Sequence, residues 1–116
     1  MRRIGEKMTV SELSTALGAS AVALPSPGRE IKGAYIGDLL SWVMGQAREG
    51  CAWITIMSNV NVIAVASLAD VACVILAEGT TLDDGVLETA RQRGVNVLSS
   101  PLPSYETAIK LYSALR

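Results

Sequence analysis

Three polar clusters punctuate the apolar second half of this sequence: Ser58, Asn59 and Asn61; Glu78, Gly79, Thr80 and Thr81; and Ser99, Ser100 and Ser104. Hydroxyls, amides and glycine at the ends of apolar runs can do two different things. They cap helices and close turns, the ordinary work of Ser, Thr and Asn where a chain changes direction. They also suit an anion, because the free N–H groups at a helix N-terminus point toward negative charge. Both readings stand at this point. No GxxxxGK[ST] sequence or other Gly-rich phosphate loop occurs, which excludes a P-loop kinase.

The remaining reactive residues do not converge. Asp83 and Asp84 are the acids that could hold Mg²⁺. Neighbours on a helix point about 100° apart, however, and favourable charge at a helix N-terminus explains the pair more simply. Glu78 is the best isolated acid, and Asp70 reads as a turn residue. The chain contains no histidine, which removes the commonest general base and metal ligand and excludes Ser-His triads. Cys51 and Cys73 are not a CxxC pair and sit in or beside apolar runs, where cysteine acts as a small hydrophobe. Free cysteines suit a reducing cytoplasm. No catalytic constellation, metal site or cofactor is therefore expected, and a metal-assisted enzyme working through Glu78 or Asp83 lacks a second convergent group.

The elements that must position these residues follow from the apolar pattern. With 116 residues, 50% of them hydrophobic, the chain is long enough for one domain with a core of its own. The net charge of −1 is made of interspersed signs, giving no reason to expect nucleic acid or an anionic membrane as partner. Arg2, Arg3 and Lys7 mark a solvated tail over 1–7, leaving 8–116 as the domain. No signal peptide is expected, which again points to the cytoplasm.

Residues 51–79 are apolar enough to raise the question of a membrane span, which needs about 20 uninterrupted apolar residues. Ser58, Asn59, Asn61 and Asp70 interrupt them where secondary structure should change. Trp53–Met57 reads as a short buried strand, Val60–Ala69 as a helix with a strand as rival, and Ala72–Leu76 as a second buried strand. Strands covered on both faces give such continuous apolar runs in parallel sheets.

The pattern then repeats. Thr81, Asp83 or Asp84 caps a helix that carries Val86, Leu87 and Ala90 and stops at Gly94; Val95–Leu98 is a strand. Ser104 caps a last helix, with Ala108, Ile109, Leu111, Tyr112 and Leu115 as its candidate buried side. This β-α-β-α-β-α order predicts a parallel sheet. Nearer the N-terminus, Thr9-x-x-Glu12 matches a capping box and Val10, Leu13 and Leu17 share one helical face. Ala21–Leu24 and Ile31–Ile36 are strand candidates around a loop at 25–28, and Gly37-Asp38 opens a helix through Ala47.

The segments GAYIGDLLSWVM (33–44), WITIMSNVNVIAVASLADVACVILAEG (53–79) and GVNVLSSPLPSYETAIKL (94–111) resemble the DRTGG domain family, whose fold is shared with the N-terminal domain of HPr kinase/phosphorylase. The likeness runs from about residue 8 onward. The name-giving Asp-Arg-Thr-Gly-Gly string is absent, and the corresponding turn reads Ser58-Asn59-Val60-Asn61-Val62. The resemblance implies an α/β/α three-layer sandwich around a mixed, mainly parallel sheet. It also implies a regulatory rather than a catalytic domain. Members of the family accompany CBS pairs in regulatory pyrophosphatases that bind adenine nucleotides, or acetyl-transfer enzymes, and stand-alone forms occur near redox genes.

Leu39, Trp42, Val43 and Met44 cover more than one face of the helix over 38–47, and Leu39, Trp42 and Val43 are the interface candidates. Such an arc is either a wide core stripe or a surface covered by a second subunit, with Trp42 as the aromatic anchor. The expected function is a self-associating regulatory module, a homodimer, that senses a small anionic ligand such as an adenine nucleotide at the three polar clusters. The alternative is an adaptor subunit for a larger metabolic or redox enzyme.

Overall fold

The computed structural model describes residues 7–116. Its elements are α1 (Val10–Leu17), β1 (Ser20–Ala23), β2 (Gly33–Ile36), α2 (Leu40–Gln46), β3 (Cys51–Thr55), α3 (Val60–Ala69), β4 (Cys73–Leu76), α4 (Asp84–Gln92), β5 (Val97–Ser99) and α5 (Ser104–Leu115). The strands form one sheet in the order β1-β5-β4-β3-β2. β2, β3, β4 and β5 are mutually parallel, and β1 runs antiparallel to β5. The expected α/β/α sandwich with a mixed, mainly parallel sheet is the observed fold.

Three crossovers, β2-α2-β3, β3-α3-β4 and β4-α4-β5, step in one direction along the sheet. A single crossover handedness then puts α2, α3 and α4 on one face. That layer packs Val43, Val62, Ile63, Val65, Ala66 and Ala90 against Cys51, Trp53, Val74, Leu76 and Val97. α1 and α5 cover the other face, setting Val10, Leu13, Leu17 and Leu111 against Ala52, Ile54, Cys73, Ile75 and Leu98. Every residue of β3 and β4 is buried, the reason both strands read as unbroken apolar runs.

α3 resolves the ambiguity over residues 60–69. Asn59 caps it, its Oδ1 accepting from the Asn61 N–H at 2.9 Å, and Asp70 ends it in the left-handed region at φ 57°. The helix lies between α2 and α4 over the middle of the sheet, so it is apolar nearly all round and shows little helical periodicity. Among the described residues, no helix is long and apolar enough to cross a membrane. At the N-terminus the expected capping box is present, with Thr9 and Glu12 exchanging bonds at 2.9 and 3.2 Å.

Several boundaries differ from expectation. β3 begins at Cys51 and ends at Thr55, because pairing with both neighbours starts right after the turn at Gly50, and Ile56 already lies 45% exposed. Gly50 sits at φ +81° with Lys32 so close that a Cβ would come 2.8 Å from its Cδ, so this turn needs glycine. On α5, Thr107, Ala108, Leu111 and Leu115 face inward, whereas Ile109 and Tyr112 are 47% and 65% exposed. The apolar arc read from sequence was wider than the two-helix layer can cover.

Cys51 and Cys73 are both buried and free. They belong to opposite faces of the sheet, Cys51 with Trp53 and Cys73 with Ile75. Burial pushes both thiols up, Cys73 the further because it is completely enclosed, with the neighbouring thiol adding a smaller push, so the reactive thiolate is scarce. Native protein treated with a thiol-exchange reagent should react at least about a hundredfold slower than unfolded protein. An intramolecular disulfide should not form under mild oxidation; a mass spectrum showing one would contradict the opposed placement.

Candidate functional site

Parallel strands deliver their carboxyl ends to the same edge of the sheet, where open α/β proteins bind ligands. Here that edge is built from residues 37–39 after β2, 56–61 after β3, 77–84 after β4 and 99–104 after β5. All three polar clusters read from sequence arrive there. The structure divides them into residues committed to holding loops together and residues left facing solvent.

The second and third clusters are joined backbone to backbone. The Glu78 N–H donates to the Leu102 carbonyl at 2.8 Å and the Gly79 N–H to the Ser100 carbonyl at 3.0 Å. The Ser99 hydroxyl donates to the Thr80 carbonyl at 3.2 Å. Ser100 and Thr107 are each 1% exposed, with their hydroxyl oxygens 3.0 Å apart. Thr107 Oγ1 donates to the Leu102 carbonyl at 3.2 Å, so Ser100 Oγ donates to Thr107 while accepting from the Leu102 N–H at 3.2 Å. Ser100 is thus satisfied inside the protein and presents nothing to a ligand.

Ser104 was expected to cap α5. Pro103 occupies the cap position without a side-chain bond, and Ser104 is the first helical residue. The cap comes from Glu78, whose Oε2 accepts from the Ser104 N–H at 2.8 Å. Glu78 itself adopts a left-handed conformation, φ 62°, and Gly79 follows at φ 69°. A carboxylate from the β4 turn therefore fills the anion-favouring end of α5. Glu78→Gln keeps an acceptor and removes the charge; we expect a loss of about 0.3–1 kcal/mol in urea unfolding, reduced by added salt. A change of zero at low salt would show that the contact contributes no electrostatic stability.

Asp83 holds the N-cap position of α4 without a side-chain hydrogen bond, and Asp84 is its first residue. Ser58, Asn59, Asn61, Thr81, Asp83 and Asp84 are exposed. Sequence reasoning read residues 37–39 as a helix start and, for Leu39, an interface candidate, and did not place them at this edge. Asp38 does not start a helix: its Oδ1 accepts from the Thr55 hydroxyl at 2.7 Å and from the Ile56 N–H at 3.0 Å. The Trp53 indole N–H donates to the Gly37 carbonyl at 2.9 Å. Placing β2 beside β3 is the signal that would have selected this loop by the same strand-end rule.

The edge carries four carboxylates, Asp38, Glu78, Asp83 and Asp84, and its loops contain no lysine or arginine. Among the described residues, no group of three or more His, Cys, Asp or Glu is placed to hold a metal ion. Cations lie at the opposite end of the sheet instead. Arg29 donates there to Asp70 Oδ1 and to the Asp70 carbonyl, both at 2.8 Å, and to Glu49 at 3.1 Å. Of the interface candidates, Leu39 and Trp42 are 68% and 61% exposed, but Val43 is 0% exposed and belongs to the core. Val43 falls on the buried side of α2 with Leu40 and Ala47, so a wide arc on a short helix was split between core and solvent.

The fold is a small three-layer α/β/α sandwich that presents an exposed, polar and acidic edge at the carboxyl ends of its parallel strands. The chain belongs to the DRTGG domain family: the family model matches residues 12–114. It is a family of regulatory domains. Among solved structures, the chain is similar to the CBS and DRTGG domains of the regulatory region of Clostridium perfringens pyrophosphatase, complexed with its activator diadenosine tetraphosphate. The match has a TM-score of 0.74 at 16% identity and covers 92% of this chain and 47% of that one. This chain thus spans about half the length of that structure. No curated protein sequence matches.

Proposed function

We propose that this chain is a non-catalytic, self-associating regulatory domain that senses a small ligand, an adenine nucleotide by preference, at the carboxyl edge of its sheet. The observation that carries this reading is the edge itself. Four parallel strands converge on turns holding Ser58, Asn59, Asn61, Glu78, Gly79 and Thr81, all exposed, and the half-buried Thr80. Family membership and the activator-bound pyrophosphatase region support a ligand of that class. A cytoplasmic, homodimeric protein fits the same picture.

The charge of the edge refines the expectation of an anion. Carboxylates without neighbouring cations repel free phosphates. A nucleotide brings its phosphates here most favourably with a divalent cation already bound, the metal facing Asp38, Glu78, Asp83 or Asp84. Thermal unfolding with adenine mono-, di- and dinucleotides, with and without Mg²⁺, tests this. Ligand at 100 times its dissociation constant stabilises by about 2.7 kcal/mol. A Mg²⁺-dependent rise abolished by Asn59→Ala is the expected result. No rise with any nucleotide, or a rise unaffected by Asn59→Ala, would remove the ligand or the site respectively.

The exposed stripe Tyr105, Ile109 and Tyr112 on α5, 74%, 47% and 65% exposed, favours the second reading, an adaptor for a larger metabolic or redox enzyme. A partner retained by the native protein and released by Tyr112→Lys would support it.

A further inference from the structure

The two edges of the sheet are not alike. β1 is interrupted by a bulge between Ala21 and Ala23 and runs into Leu24-Pro25, devices that blunt an edge against further pairing. β2 has neither. Its pairing with β3 is regular from Gly33 to Ile36, it contains no proline and no charge, and among the described residues no strand lies on its outer side. Apolar surface flanks this open edge on both faces. Gln46 borders the same cavity as Lys32–Tyr35, so Trp42, one helical turn before Gln46, rises beside the strand, with Leu39 a further turn back. On the opposite face Ile36 and Ile56 are 53% and 45% exposed.

The sequence along the edge reads Lys32-Gly33-Ala34-Tyr35-Ile36-Gly37-Asp38. It is close to a palindrome in chemistry, centred on Tyr35. An antiparallel copy puts Lys32 opposite Asp38, glycine opposite glycine and Ala34 opposite Ile36, twice over. A strand from an unrelated protein has no reason to match that pattern, whereas a two-fold interface demands self-complementarity. The end that would receive the second copy's Asp38 borders a cavity of about 320 Å³ whose lining includes Lys32, Arg48 and Glu49, and Lys32, which holds Glu49 at 3.2 Å, would share its charge between Glu49 and the incoming Asp38.

We infer that the self-association proposed above, on which this inference rests, occurs by antiparallel pairing of β2 with β2 of a second copy, making one ten-stranded sheet with its two-fold axis at Tyr35. The axis stands perpendicular to the sheet, so like faces stay together. The two α2 helices then meet across the axis and cover Leu39 and Trp42, while Ile36 and Ile56 of each copy converge on the other face.

Sedimentation equilibrium across a concentration series tests it. The wild type should dimerise. Ile36→Asp puts a carboxylate opposite Ala34 and should weaken the dimer by roughly a hundredfold. The double variant A34K/I36D sets opposite charges across both pairs and should restore most of the affinity. Lys32→Glu, an exposed change that brings like charge toward Asp38, should weaken the dimer by roughly tenfold and serves where I36D fails to fold. A dimer that survives both I36D and K32E overturns the β2 interface while leaving self-association intact. A wild type that stays monomeric overturns both, and the edge then awaits a strand from another protein.

Discussion

Replacing Trp53 by alanine is expected to cost about 3–5 kcal/mol, enough to unfold much of a domain of this size. Trp53 is 0% exposed at the centre of β3, packed under the helices that cover that face. Its indole also reaches the edge of the sheet through the 2.9 Å bond to the Gly37 carbonyl. Trp53→Phe separates the two roles, because phenylalanine fills much of the volume but has no N–H. It should cost about 1–3 kcal/mol, from the orphaned carbonyl and the residual cavity. Amide hydrogen exchange should report faster opening in residues 37–39 and at Ile56, whose N–H is held by Asp38. Unchanged protection there, with a lower unfolding midpoint, would mean that Trp53 supports only the core and not the candidate site. Chemical denaturation of both variants supplies the energies.

Asn96 should show the second large effect. It is 1% exposed, and its side chain ties the 25–28 loop to the start of β4. Nδ2 donates to the Ser26 carbonyl at 2.8 Å and to the Ala72 carbonyl at 3.0 Å, while Oδ1 accepts from the Ser26 N–H at 2.9 Å. Asn96→Leu removes all three partners at once and should cost about 3 kcal/mol or more, since each buried orphan carries its own penalty. Asn96→Asp is the sharper test. One carboxylate oxygen keeps the Ser26 N–H, but the other faces two carbonyl oxygens. Repulsion and burial favour the protonated form in the fold, so the introduced carboxyl titrates above its unfolded value of about 3.9. The penalty is therefore full above the folded-state value and fades as pH falls through it toward about 3.9. Relative to wild type, N96D should gain stability on acidification from neutral pH. A difference between the two proteins that stays constant across that range would show that the amide nitrogen's bonds are not made in solution.

Much of the fold was legible because its determinants are local. Trp53–Ile54 and Cys73–Leu76 sit in unbroken apolar runs because both strands are covered on two faces, and the caps Thr9, Glu12 and Asn59 announce their helices within three residues. The family resemblance supplied what periodicity could not, the mixed sheet with its helical layers. The strand-end rule then found most of the candidate edge, because Ser, Asn and Thr gather wherever such strands finish. It could not tell a residue that binds from one that braces. Ser100 and Thr80 looked alike in the sequence, yet Ser100 is sealed in a hydroxyl pair with Thr107.

Local order, then, was largely written in the chain: most of the strands and helices and several of their caps. Tertiary structure alone decided partnership. Glu78 caps a helix that begins 26 residues later, and Asn96 grips a loop 70 residues earlier. The same is true of the difference between the blunted β1 edge and the open β2 edge, which exists only once strand order is set. Propensity and capping act over a turn or two of chain, whereas strand order joins distant segments through burial that no single window contains.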